Sequence, residues 1–265
     1  MSMRKLIVPA LGSGVLLVAF ACLMAACGSS PQPAAQAGAR ASSSPGAVLT
    51  AEQVSQRYGQ GVVQVIAVAP AATGATRAVD NGAGPRGLGF AVSSTLILTS
   101  ARLVDQNGSI TKTATVIAKT AGGQERRTVG AIVCVDAALD LAVIRVDAAQ
   151  TAGLVVLPMG DSSALRAGQS LTALGDPLAA SPTPATLVVT APRRLVRATS
   201  GVTLQAIVLS GPSLAGLSGA PLFDAAGRVL AVVDGAGAPA GDPRGAGTAV
   251  PINDAAHVIA DALAD

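Results

Sequence analysis

Ser218 stands in Gly216-Leu217-Ser218-Gly219-Ala220-Pro221-Leu222, a turn in which a hydroxyl is set among glycines. Gly216 and Gly219 free the backbone there, so that the amides of Gly216 and Ser218 can converge on one point. Two converging N–H groups beside a serine suit acyl transfer, in which a hydroxyl attacks a carbonyl and the developing oxyanion needs fixed donors. The hydroxyl then needs a base to take its proton. His257, the only histidine of the chain, is badly placed for that work. It lies off the apolar stripe Ala255, Val258, Ile259, Ala262 and Leu263, with Asp254 and Asp261 at helical spacing, which marks a charged outer face. One histidine and scattered cysteines offer no ligand cluster, so no metal and no other cofactor is expected.

These groups need elements to hold them. Half of the 265 residues are apolar and 2% are aromatic, so the core must be built from Val, Leu, Ile and Ala, a composition that favours sheets. Short apolar or alternating runs separated by Gly, Pro, Asn and Asp predict strands at Val62–Val68, Gly89–Val92, Thr95–Leu98, Ala114–Ala118 and Val129–Val135. Further runs are Leu141–Val146, Leu171–Leu174, Thr186–Thr190, Leu204–Leu209 and Val229–Val233. About ten short strands at this spacing indicate a barrel or sandwich. Thr50-Ala51-Glu52-Gln53 has the form of a capping box and predicts a short helix ending at Gly59, while Asn253 is expected to cap a final helix. Cys134, inside the run Ala131–Val135, reads as a buried small hydrophobe, and the pair Arg193-Arg194 with Arg197 as a solvated loop face.

Several segments resemble one family. Gly87-Leu88-Gly89-Phe90 followed by Ile97-Leu98-Thr99-Ser100-Ala101-Arg102-Leu103-Val104 is similar to the G-S-G-F…I-L-T-N-A-H-V-V segment of the HtrA (Deg) branch of the trypsin-like serine proteases. Asp140-Leu141-Ala142-Val143-Ile144-Arg145-Val146 resembles D-L-A-V-L-K-V. Leu157-Pro158-Met159-Gly160-Asp161-Ser162-Ser163, with Ala173-Leu174-Gly175-Asp176-Pro177 beyond it, resembles L-P-L-G-D-S-S…A-I-G-N-P, and the serine turn resembles G-N-S-G-G-P-L. The resemblance runs from about Ala51 to Leu263 and implies two six-stranded β-barrels packed face to face, with a short N-terminal and a C-terminal helix. Residues 60–150 and 151–252 would form the barrels and 253–264 the last helix. It further implies that Arg102, Asp140 and Ser218 occupy the places of base, acid and nucleophile, with the amides of Gly216 and Ser218 as the oxyanion hole. The first of these is the wrong residue. A guanidinium keeps its proton throughout the physiological range and cannot accept one from serine. Leu217 and Ala220 also depart from the pattern, where the family has Asn or Asp and glycine. Arg102 is expected to form a charge-assisted, bidentate pair with Asp140 instead.

The N-terminus gives an address. Arg4 and Lys5 precede the apolar run Leu6–Ala26, the layout of a secretory signal. Leu23-Met24-Ala25-Ala26-Cys27-Gly28 resembles a bacterial lipobox, which implies lipidation at Cys27; an uncleaved membrane helix is the alternative. Residues 27–49, rich in Ser, Pro, Ala, Gly and Gln, read as a tether, and 50–265 as the folded domain. Without residues 1–26 the 18 basic residues become 16 against 15 acidic ones, and no basic run interleaved with aromatics occurs, so no nucleic-acid partner is expected. With Cys22 in the signal and Cys27 lipidated, Cys134 is left without a disulfide partner.

The expectation is therefore an exported, membrane-tethered trypsin-like domain without peptidase activity, a binding or scaffold module for a protein or peptide partner. The alternatives are a serine endopeptidase using Ser218 with an unrecognised base, and a chaperone-like envelope protein suggested by family likeness alone. The sequence ends at the terminal helix with no PDZ segment in it, so recognition through such a module is not expected.

Overall fold

The computed structural model describes residues 48–67, 84–106, 108–120, 122–178, 184–197, 203–236 and 245–264. The run Leu6–Ala26, Cys27 and nearly all of the tether lie outside them. No helix among the described residues is long and apolar enough to cross a membrane.

Helix α1 (Ala51–Tyr58) starts on the reciprocal box the sequence predicts: Thr50 Oγ1 accepts the Gln53 amide at 3.2 Å, and the Gln53 side chain accepts the Thr50 amide at 2.9 Å. A 3₁₀ turn at Gly59–Gly61 leads into the strands β1 (Val62–Ala67), β2 (Arg86–Ala91) and β3 (Leu96–Ser100). Then come β4 (Asp105–Gln106), β5 (Ser109–Ile110), β6 (Thr113–Lys119), β7 (Glu125–Asp136) and β8 (Leu141–Arg145). Six of these close into an antiparallel barrel in the order β1-β2-β3-β8-β7-β6, while β4 and β5 pair as a separate ribbon. The second half contributes β9 (Ser170–Ala173), β10 (Ala185–Arg197), β11 (Thr203–Ser210), β12 (Pro221–Phe223), β13 (Val229–Ala236) and β14 (Gly245–Pro251). They close into a second barrel in the order β10-β11-β14-β13-β12-β9, and helix α2 (Ile252–Ala264) follows directly.

Strand periodicity explains why the apolar runs are nearly continuous. Successive side chains point to opposite faces of a strand, and here both faces are covered. Ile97, Ala142 and Ile144 join Val63, Val65 and Val116 in one buried cluster belonging to the first barrel, whereas their neighbours Leu96, Leu98, Leu141 and Val143 point the other way. That opposite face meets Phe223, Val229, Val232 and Val250 of the second barrel in a cluster shared by both. Leu171, Leu187, Ile207, Leu209, Leu222 and Val233 fill the second barrel. The two helices seal the shared cluster. Tyr58 of α1 stacks on Phe223 with ring centroids 5.4 Å apart, and α2 adds Ala255, Val258 and Ala262.

Four local expectations are corrected. Asn253 is not a cap, because α2 begins at Ile252 without a break after β14; its side chain instead donates to Asp161 at 2.7 Å and accepts the Ser162 amide at 3.0 Å. Cys134 is half-buried, since β7 is wetted along much of its length. Arg193, Arg194 and Arg197 lie on β10 rather than in a loop, exposed, with Arg193 reaching Asp254 at 3.1 Å. Finally, β12 and β14 were not foreseen: one has only three residues next to a glycine turn, and the other reads Gly-Ala-Gly-Thr, so pairing with neighbours rather than local preference makes them strands.

Candidate active site

The site is built at the seam of the two barrels. Strand β3 ends at Ser100, and a 3₁₀ turn over Ala101–Leu103 swings Arg102 towards the seam. Beside β3 lies β8, entered through Asp140, whose φ of 55° puts it in the left-handed region. Asp tolerates that conformation better than most residues, and the surroundings hold it there. The Asp140 carbonyl accepts the Ala101 amide at 2.9 Å, and its Oδ1 accepts the Arg102 amide at 2.8 Å. Its Oδ2 takes the Ser100 hydroxyl and Arg102 Nε, the latter at 2.7 Å.

The expected charge-assisted pair of the guanidinium with Asp140 forms, through Nε alone rather than through two nitrogens. Nη2 leaves Asp140 and donates to Oδ1 of Asp234 on β13, and Asp234 Oδ2 accepts the Thr248 hydroxyl of β14 at 3.0 Å. Arg102 is thus shared between carboxylates of both barrels, each of them 3% exposed, while its own side chain is 26% exposed. Burial pushes the Asp140 carboxyl up from its usual 3.8 to about 6. Arg102 and the hydrogen bonds from Ser100 and the Arg102 amide pull against that rise, and the charge of Asp234 adds to it.

Ser218 is brought to the same seam but makes no hydrogen bond to the Arg102 side chain. Its hydroxyl donates to the Asp234 backbone carbonyl at 3.1 Å, and a carbonyl is no proton acceptor for a nucleophile. The turn around it is tightly held: Gly219 N–H bonds to Val233 O at 2.8 Å, Val233 N–H to Ala220 O at 2.9 Å, and Leu88 N–H to Ser218 O at 2.8 Å. Gly219, at φ +85°, is obligatory, because a Cβ there would lie 2.0 Å from the Leu88 carbonyl oxygen. Among the described residues the amides of Gly216 and Ser218 have no hydrogen-bond partner, and Gly216 is exposed to solvent. The two departures in the turn are absorbed: Ala220 is fully buried in the second-barrel core and Leu217 packs against it. Among the described residues no side chain hydrogen-bonds to the Ser218 hydroxyl. His257 is exposed on α2 and pairs with Asp136 at 3.0 Å, and none of His257, Lys112 and Lys119 bonds to Ser218.

Asp234 and Thr248 escaped the sequence reading, which ended a strand at Val233. The available signal was a carboxylate closing an apolar run, since a buried acid demands a partner.

A family profile described as the trypsin-like peptidase domain matches residues 87–232. Among curated proteins, Protease Do-like 1, chloroplastic, of Arabidopsis thaliana is 30% identical over 122 residues, 45% of this chain and 28% of that one. Protease Do-like 8, chloroplastic, of the same plant is 32% identical over 109 residues, 41% of this chain and 24% of that one. The chain spans about a quarter of the length of these relatives. Among solved structures, that of Deg5 is 26% identical and superposes with a TM-score of 0.57 over 77% of this chain and 89% of that one. The HtrA-type protease AlgW with a tripeptide, 20% identical, gives 0.59 over 80% and 63% and shares the fold.

Proposed function

We propose, from the premise that this chain belongs to the trypsin-like peptidase domain family, that it is an exported, membrane-tethered, HtrA-like pseudoprotease acting as a binding or scaffold module. One observation carries the reading. The residue in the base position, Arg102, is a guanidinium engaged by Asp140 and Asp234, with no hydrogen bond to Ser218. Loss of one triad member from such a site leaves roughly 10³ to 10⁴-fold catalysis over water from binding and the oxyanion donors, far below a working protease. The solvent-exposed Gly216 beside Ser218 and the family's use of extended peptides support a protein or peptide partner. The lipobox-like segment at Cys27 supports lipid anchoring outside the cytoplasm; incorporation of a labelled fatty acid that disappears in Cys27→Ser tests this part.

A second reading is favoured by the unused amides of Gly216 and Ser218: a serine endopeptidase whose base comes from elsewhere. A chaperone-like role has only family likeness behind it. A serine-directed fluorophosphonate probe separates the enzyme from the pseudoenzyme. No labelling of the purified full chain is expected, and stoichiometric labelling abolished by Ser218→Ala would establish the second reading.

A further inference from the structure

A cavity of about 270 Å³ lies between α1, the β6–β7 hairpin and the segment after β9, and shares no residue with the Arg102 cluster. We propose that it binds a small carboxylate with an apolar body. Its size is near the lower end for small-ligand sites, roughly 300 Å³. The floor is apolar, formed by Val62, Leu174 and Pro177, all buried.

The polar rim argues for the charge. Among the described residues Lys119 is the only Lys, Arg, Asp or Glu lining the cavity, and its side chain has no partner there. The nearest acid along the chain, Asp176, is turned to other work: Oδ2 accepts the Gln64 side chain at 3.2 Å and Oδ1 the Leu178 amide at 2.8 Å. Ser55, Gln56 and Gln60 also line the cavity, and among the described residues their side chains make no hydrogen bond. Ser55, Gln60 and Lys119 are half-buried and Gln56 is exposed; half-buried polar groups left unpaired beside an apolar floor are what a ligand site presents, and a carboxylate satisfies a lone ammonium by a charge-assisted bond. A phosphate would call for a second cation or a nest of amides. The walls are pre-formed: Tyr58 anchors α1 on Phe223, and the hairpin is closed by Thr120 N–H to Gln124 O at 2.9 Å and Gly123 N–H to Thr120 O at 2.8 Å. The neutral amides and hydroxyl suit an acylamino group beside the acid, a chemistry shared by N-acyl amino acids and peptide C-termini.

The test titrates the ¹⁵N-labelled full-length chain with N-acetyl-leucine, its neutral amide N-acetyl-leucinamide, and a hexapeptide ending in free leucine. Saturable shifts are expected at Ser55, Gly59, Lys119 and Gly175, with a Kd for the acid of about millimolar, as suits a dozen heavy atoms. The amide should bind roughly tenfold more weakly. Lys119→Gln should bring the acid down to the level of the amide with the melting temperature unchanged. Ser218→Ala should leave binding intact, which separates this site from the reading of the seam. Tighter binding of the hexapeptide assigns the site to chain termini, and equal or weaker binding assigns it to free acids. Absence of shifts at these residues, or equal affinity for acid and amide, overturns the proposal, and that comparison needs no substituted protein.

Discussion

The serine turn and the arginine turn face each other across one seam, yet they have diverged in different ways. Around Ser218 the changes are apolar: Ala220 is buried in the second-barrel core and Leu217 packs against it, Gly219 keeps its close approach to Leu88, and among the described residues two amide donors have no partner. Around Arg102 the polar wiring is different in kind. Instead of an imidazole that takes the serine proton and is held in place by the acid, a fixed cation joins Asp140 of one barrel to Asp234 of the other. On the proposed reading, proton transfer is lost at one side chain while the donors that would meet an oxyanion, being backbone amides, need not change with it.

The largest expected effect is on stability. Arg102→Ala strands two carboxylates that are each 3% exposed and should cost about 3 to 5 kcal/mol at pH 7, read as a fall in the urea midpoint. A loss below about 1 kcal/mol would break the contrast, since the cluster would then not be holding the seam.

The next effect follows from Asp140. Folded, it keeps its proton up to about pH 6, whereas the unfolded chain releases it near 3.8. Its contribution to stability is present below about pH 4 and is lost as pH rises through 6, on the order of 3 kcal/mol at 1.36 kcal/mol per unit. Relative to Asp140→Asn, the unsubstituted chain should thus lose stability between pH 4 and pH 7, measured by thermal unfolding at both. An opposite trend would mean that Arg102 outweighs burial at this carboxyl.

A third prediction sharpens the difference between the two turns. Arg102→His alone places an imidazole between Asp140 and Asp234, which favour its charged form and impair it as a base. Adding Asp234→Ser should raise Ser218-dependent hydrolysis of a peptide ester at pH 7 roughly tenfold over the single variant. Equal rates would show that Asp234 has no influence on an imidazole at position 102. The smallest effect belongs to Ser218→Ala, which removes one hydrogen bond to a carbonyl and should change stability by about 1 kcal/mol or less.

Much of this was legible along the chain. The valine- and leucine-rich runs of β1, β3, β8 and β13 announce themselves because period-two alternation with both faces buried leaves few polar interruptions. Thr50 and Gln53 state their cap locally. Arg102 and Asp140 could be placed opposite each other only through family resemblance. Asp234 could not be placed at all, since its partner lies 132 residues away and nothing nearby in sequence says which carboxylate will turn inward. β14 was hidden for a similar reason: Gly247 and Thr248 are strand residues only because β11 and β13 lie on either side.

The central claim is that Ser218 has no group to take its proton. Turnover of an unfolded protein substrate by the purified full chain, measured beside Ser218→Ala, tests it most directly. The account predicts indistinguishable cleavage by the two proteins. Ser218-dependent turnover on the order of 1 per second or faster, the range of ordinary enzymes, would contradict it.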